Sequence, residues 1–157
     1  MDSGSVPSDP PVSILLVGFM AAGKSEVARI LAEELGWPAF DVDALLEEEA
    51  GLPVSEIFAT RGEAWFRERE RVVTEGLLAR LGVIVAPGGG WAAQPGRLTR
   101  LPPHVLSVWL RVSAEEAVRR AGGVPGARPL MADEARMGAL LGEREPWYRA
   151  ARLHLDT

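Results

Sequence analysis

Gly18-Phe19-Met20-Ala21-Ala22-Gly23-Lys24-Ser25 spells G-x-x-x-x-G-K-[ST], with the apolar run Ile14-Leu15-Leu16-Val17 before it and a helix-like segment, Glu26 to Leu35, after it. Strand, glycine loop and helix is the context that makes this pattern a phosphate cradle. Backbone N–H groups converge on phosphate oxygens there, and the helix N-terminus adds partial positive charge. Lys24, the only lysine in the chain, would reach the β- and γ-phosphates, and the Ser25 hydroxyl would hold Mg²⁺. Chance yields the bare pattern about once in a few hundred chains of this length, and the flanking elements make it rarer. A strand-to-helix turn with small residues for packing is therefore the weaker reading. ATP and Mg²⁺ are the expected ligands.

Two carboxylates follow at Asp41-Val42-Asp43. Side chains alternate along a strand, so one can approach the metal while the other faces the crevice. A positioned Asp can orient an attacking hydroxyl and accept its proton. The bland alternative makes Asp43 a helix N-cap. Gly88-Gly89-Gly90 suits either a sharp turn or close backbone approach to a ligand. Arg67, three residues before Glu70, is either a solvated ion pair or a guanidinium fixed for bidentate capture of a substrate carboxylate. Arg144 precedes Pro146 and Tyr148 and is equally open. Arg128 sits in the Gly/Pro-rich stretch from Gly122 to Pro129, which suits a lid carrying positive charge to a transferring phosphoryl group, or simply a surface loop.

The elements that must position these groups alternate. Ala39 to Asp41, Val83 to Ala86, Val105 to Leu110 and Leu153 to Leu155 read as further strands. Helices are expected from Asp43, around Ser55 to Thr60, over Glu63 to Leu81 (apolar Phe66, Val73, Leu77 and Leu81), from Pro95 to about Leu101, from Ser113 to Arg120, and from Asp133 to about Glu145. Gly36 and Gly82 are helix stops, and Ser113 with Glu116 forms a capping box. This order means an α/β fold with a mainly parallel sheet, whose carboxyl-terminal rim gathers the phosphate loop, the two carboxylates and the triple glycine.

The bulk numbers agree. The chain of 157 residues suits one domain, 12–157, with a polar, disordered tail at 1–11 and a lid around 121–133. A net charge of -5 without a basic block argues against nucleic acid. Zero cysteines exclude thiol catalysis, and two isolated histidines cannot build a zinc site. The stretch before Val12 carries acids and no basic residue, unlike a secretory signal, and no run is long enough to span a bilayer. A cytoplasmic monomer acting on a small molecule, away from membranes, is expected.

Taken together, Gly18 to Ser25, Phe40 to Asp43, Ile57-Phe58 with Gly62-Glu63, Phe66-Arg67 with Glu70, Gly88 to Gly90, Arg128-Pro129-Leu130, and Arg144 with Pro146 and Tyr148 resemble the shikimate kinase family. The resemblance implies a P-loop kinase fold, a five-stranded parallel sheet in the order 2-3-1-4-5 flanked by helices, and ATP-dependent phosphorylation of the shikimate 3-hydroxyl. It implies that Asp43 binds the ring hydroxyls as base or orienter and that Arg67 and Arg144 clamp the carboxylate. Gly89 would offer its N–H, and Arg120 would pack on adenine. Arg128 would contact phosphates, and Asp41 would join Ser25 around Mg²⁺. Gly18, Ala21, Ala22, Gly23, Lys24, Ser25 and Glu26 would line the nucleotide.

Four departures stand out. Ala21 replaces a usual glycine. Glu26 replaces a usual Thr or Ser and sets a carboxylate beside phosphates. Trp91 replaces a small residue and is expected to narrow the acceptor site. A final adenine-contacting loop and C-terminal helix are expected to be missing after Thr157. A gluconate or other small-metabolite kinase, or a weakly active nucleotide-binding or regulatory module, remains the alternative.

Overall fold

Six consecutive buried residues, Ser13–Gly18, form β1, and burial on both faces is why the run shows no alternation. It is the centre of a five-stranded sheet in the order β2-β3-β1-β4-β5, with β2 at Ala39–Asp41, β3 at Ile84–Ala86, β4 at Val105–Arg111 and β5 at Leu153–Asp156. Every pairing is parallel; Ile14 faces Ile84 on one side and Leu106 on the other. The expected sheet order is therefore the observed one. A computed structural model describes residues 12–122 and 131–157. The expected tail at 1–11, and residues 123–130 of the expected lid with Arg128, lie outside them.

The helices are α1 (Lys24–Leu35), α2 (Val42–Ala50), α3 (Val54–Arg61), α4 (Glu63–Leu78), α5 (Ala114–Gly122) and α6 (Met131–Tyr148). Gly36 ends α1 in the left-handed conformation at φ 67°, its N–H donating to the Ala32 carbonyl. Ser113 caps α5, its Oγ accepting from the Glu116 N–H at 3.0 Å. The Glu116 carboxylate instead holds Arg119 and Arg120.

Two expectations need correction, and one bland alternative falls away. No helix forms from Pro95 to Leu101, where turns run through Gly96 at φ 79°. The long helix stops at Leu78, and its buried face is Phe66, Glu70, Thr74 and Leu78. Val73 and Leu77 pack only partly and Leu81 is exposed. The cap of α2 is Asp41, not Asp43: Asp41 Oδ1 accepts from the Ala44 N–H at 3.1 Å. That frees the Asp43 side chain from capping.

The core packs α1, α4 and α6 onto the sheet through residues such as Leu15, Phe66, Leu78, Trp109, Leu141 and Tyr148. Both histidines are structural. His104 Nε2 pairs with the Leu78 carbonyl at 2.7 Å, and His154 Nε2 with the Ala151 carbonyl at 3.0 Å.

Candidate active site

The phosphate loop leaves β1 at Gly18, where a Cβ would stand 2.6 Å from the Leu110 carbonyl oxygen, so only glycine fits. The loop tightens through an Ala22 N–H to Phe19 carbonyl bond of 3.1 Å and opens into α1 at Gly23. The first-turn N–H groups of Lys24, Ser25 and Glu26 have no acceptor within the helix, which leaves them for an anion. Ala21 sits at φ 62°, the left-handed region that costs an alanine about 1 kcal/mol or more. The usual glycine would adopt it freely.

Lys24 lies beneath this loop. Its Nζ donates to the Gly18 carbonyl at 2.7 Å and the Phe19 carbonyl at 3.1 Å. Burial pulls its pKa down to about 8; Asp43, Asp41 and Glu70 oppose the shift and Arg144 adds to it. Lys24 thus feels Asp43, Glu70 and Arg144 as well as Asp41.

Ser25 Oγ donates to Asp41 Oδ2 at 3.3 Å, so the two expected metal residues touch. No cluster of three or more acidic or histidine ligands exists among the described residues. One hydroxyl and one carboxylate fit Mg²⁺, which keeps several waters and takes its remaining ligands from substrate phosphates.

On the acceptor side, Asp43 and Glu70 converge on Gly88. A Cβ there would meet Asp43 Oδ1 at 2.8 Å and Glu70 Oε2 at 2.9 Å. Those two oxygens are buried and neither has a well-aligned donor, although the Gly88 N–H lies close enough to Glu70 to pull its pKa down somewhat. Burial raises the Asp43 pKa; nearby Asp41 adds to this while Lys24 and Arg67 oppose it. Burial likewise raises that of Glu70 against the Arg67 hydrogen bond. Two acceptors without well-aligned donors suit a ligand that brings hydroxyl groups.

Arg67 Nη1 donates to Glu70 Oε1 at 2.9 Å, with the arginine side chain 19% exposed and the glutamate 1%. Its guanidinium lies against Gly90, where a Cβ would approach Cζ to 2.7 Å. Arg144 Nη1 would be 3.1 Å from a Cβ on Gly89, and its guanidinium rests over the Phe19 ring at 5.8 Å. No described carboxylate pairs with Arg144. Arg67 and Arg144 also share the wall of one pocket with Gly90 and Trp147, and with two acids, Glu143 and Glu63, the latter 3.5 Å from Arg67 Nε. Two guanidiniums there, one free of an acid, suit a carboxylate ligand.

Arg120 Nη1 donates to the Ala21 carbonyl at 2.8 Å, while its Nε donates to Glu116. It is thus beside the loop, on a pocket wall with Val112 and Thr157. Glu26 turns away: its carboxylate pairs with Arg29 at 2.5 Å and is 63% exposed. Only its backbone N–H faces the loop's mouth. Trp91 also departs from expectation. It is buried and lines a separate cavity with Leu78 and Arg97, so it does not narrow the acceptor site.

Two residues were not singled out as site residues. Tyr148 is fully buried, and its hydroxyl donates to the Gly89 carbonyl at 2.6 Å. Its spacing of four from Arg144, one turn along a helix face, was the signal available. Glu70 was read as support for Arg67, but its second oxygen faces Gly88 directly.

The description "Shikimate kinase" belongs to the family model that matches residues 20–157. Shikimate kinase from Moorella thermoacetica is 40% identical over 149 residues, covering 94% of this chain and 86% of its own length. That from Mycobacterium avium is 42% identical over 147 residues, covering 91% and 82%. The structure of shikimate kinase from Acinetobacter baumannii in complex with shikimate superposes with a TM-score of 0.82 at 35% identity, over 94% of this chain and 83% of that one. A gluconokinase from Sinorhizobium meliloti reaches a TM-score of 0.58 at 22% identity, a likeness of fold alone. With a phosphate loop on β1 and an acid-lined glycine turn beside it, the chain belongs to the shikimate kinase family.

Proposed function

We propose that the chain transfers the γ-phosphoryl group of ATP to the 3-hydroxyl of shikimate, giving shikimate 3-phosphate and ADP. The observation that carries this is the pair of buried oxygens without well-aligned donors on Asp43 and Glu70, with Arg67 and Arg144 beside them. Acceptors for hydroxyls next to cations for a carboxylate describe a small polyhydroxy acid.

In this reading Asp43 accepts the hydrogen bond of the 3-hydroxyl and then its proton, as the O3–Pγ bond forms and the bond from Pγ to the bridging oxygen breaks. A carboxylate whose pKa burial has raised is a better proton acceptor than an exposed one. Arg67, fixed by Glu70, and Arg144, fixed between Phe19 and Gly89, hold the substrate carboxylate. The Gly89 N–H would join them, oriented by Tyr148 on the carbonyl of the same residue. Lys24 and the first-turn N–H groups stabilise charge on the phosphates. Ser25 and Asp41 would hold Mg²⁺, which neutralises charge on the β- and γ-phosphate oxygens. Arg120, which bonds the Ala21 carbonyl of the loop, is assigned to the base by the family resemblance, and Arg128, outside the described residues, is assigned to the phosphates from its sequence context.

A monomeric, cytoplasmic state belongs to the same reading. Among the described residues no helix is long and apolar enough to cross a membrane. A coupled ADP-release assay with shikimate and gluconate in parallel tests the function. Turnover with shikimate alone is expected. Equal turnover with gluconate, or ATP binding without acceptor turnover, would overturn it.

A further inference from the structure

Trp91 donates its N–H to the Gly88 carbonyl at 3.0 Å, which closes a β-turn over Gly88-Gly89-Gly90-Trp91. Its two central residues are glycines, and neither has a positive φ, so the turn is of type I. A type II turn differs by a half-rotation of the central peptide and favours glycine at the third position, where Gly90 stands. Nothing in the backbone of a Gly-Gly pair therefore holds the peptide in the orientation observed. The restraint has to come from outside the turn.

Tyr148 supplies it. Its hydroxyl donates to the Gly89 carbonyl at 2.6 Å, and that oxygen belongs to the central peptide. The ring is fully buried and packs on Trp109 of β4 with centroids 5.8 Å apart, so the hydroxyl has a fixed seat. In a trans peptide the N–H points opposite to the C=O, so holding the Gly89 carbonyl aims the Gly90 N–H away from Tyr148. That N–H has no acceptor among the described residues. Gly90 lines the pocket shared by Arg67 and Arg144, and Arg144 Nη1 lies 3.1 Å from where a Gly89 Cβ would be. A half-rotation would exchange the N–H on that side of the turn for a carbonyl oxygen. A carboxylate held by the two arginines gains from the donor and is repelled by the oxygen.

We propose that Tyr148 is a positioning residue, a lock on the peptide between Gly89 and Gly90 that keeps its N–H edge turned to the acceptor carboxylate. It touches no substrate atom and acts only through the turn. The alternative is a core aromatic whose hydroxyl merely finds a partner. The effect on catalysis rests on the acceptor assignment above, whereas the state of the turn does not.

Tyr148 is the only tyrosine in the chain, so one change removes the one phenol. Tyr148→Phe keeps the ring against Trp109. Should that variant not fold, 4-fluorophenylalanine placed at position 148 fills the hydroxyl's volume without a proton to donate. The nuclear Overhauser effect between the Gly89 α-protons and the Gly90 N–H reads the turn, being weak in type I and strong in type II. It is expected to be weak in the wild type and strong in the variant. The shikimate KM should rise about tenfold or more, with kcat and the ATP KM within about threefold, the split that marks a loss of acceptor binding alone. A turn that stays type I in the variant overturns the lock, and so does a flipped turn with an unchanged shikimate KM. A joint loss in kcat and in both KM values overturns it in favour of packing. Wild-type protein that turns over no shikimate would instead overturn the acceptor assignment, and the Overhauser measurement would still decide the lock.

Discussion

Helix α4 carries two arginine–glutamate pairs of the same spacing with opposite surroundings. Arg67 and Glu70 lie inward, the glutamate 1% exposed and aimed at Gly88. Arg71 is bridged by Glu68, 61% exposed, and by Glu75 on the solvent side. In the sequence both are i, i+3 ion pairs on one helix. Outside, each charge has a partner and water besides, so little depends on it. Inside, Glu70 has one arginine and, at its second oxygen, no donor better aligned than the Gly88 N–H, so the pair is left to be completed by a ligand. Function lies where satisfaction is unfinished, and spacing alone does not reveal it.

The largest effect should come from the unfinished side. Asp43→Asn is expected to lower kcat by about a hundredfold while leaving ATP affinity nearly intact, read by steady-state kinetics and nucleotide titration. An unchanged kcat would remove Asp43 from the chemistry and weaken the contrast between the two faces. Next, Glu70→Gln should raise the shikimate KM and lower stability by about 2 kcal/mol, since it strips the anion from a buried pair. Glu68→Gln, the matched change outside, should leave KM unaltered and Tm within about one degree. Equal behaviour of the two variants in thermal melts and kinetics would break the comparison outright.

A smaller effect concerns Lys24. Its pKa of about 8 in the folded protein lies below its ordinary 10.5. Between these values the unfolded chain holds a proton that the folded one has lost, so ligand-free stability should rise with pH across that window. Phosphates favour the charged amine, so nucleotide binding near pH 9 should take up a proton. Calorimetry in buffers of differing ionisation enthalpy reads this directly, and no uptake would mean Lys24 is already charged there. Smallest of all, Ala21→Gly should stabilise the ligand-free protein by about 1 kcal/mol by relieving the positive φ. A melt showing a loss would mean the gain in unfolded-chain freedom outweighs the relief.

Much of this was legible beforehand, for identifiable reasons. The phosphate loop has a fixed spacing dictated by backbone geometry, and β1 is apolar because both its faces are covered. Asp43, Arg67 and Arg144 each had a bland reading alone, and only the family resemblance joined them into a set. The buried face of α4 was misread because two of its four inward residues, Glu70 and Thr74, are polar. An apolar template then drifts to Val73, Leu77 and Leu81. Asp41 was missed as the cap of α2 because that depends on where β2 ends, a boundary one or two residues wide. Trp91 looked obstructive because nothing local says on which side of the glycine turn its ring falls. The pairing of Glu26 with Arg29, by contrast, could have been read from their spacing.

At rest, the Lys24 ammonium is latched to two main-chain oxygens of its own loop, Gly18 and Phe19. An ammonium carries three N–H groups, so one is left over for an arriving phosphate oxygen while the other two keep their grip. The positive charge is thus moored before any nucleotide comes, and the loop need not unpick itself to greet it.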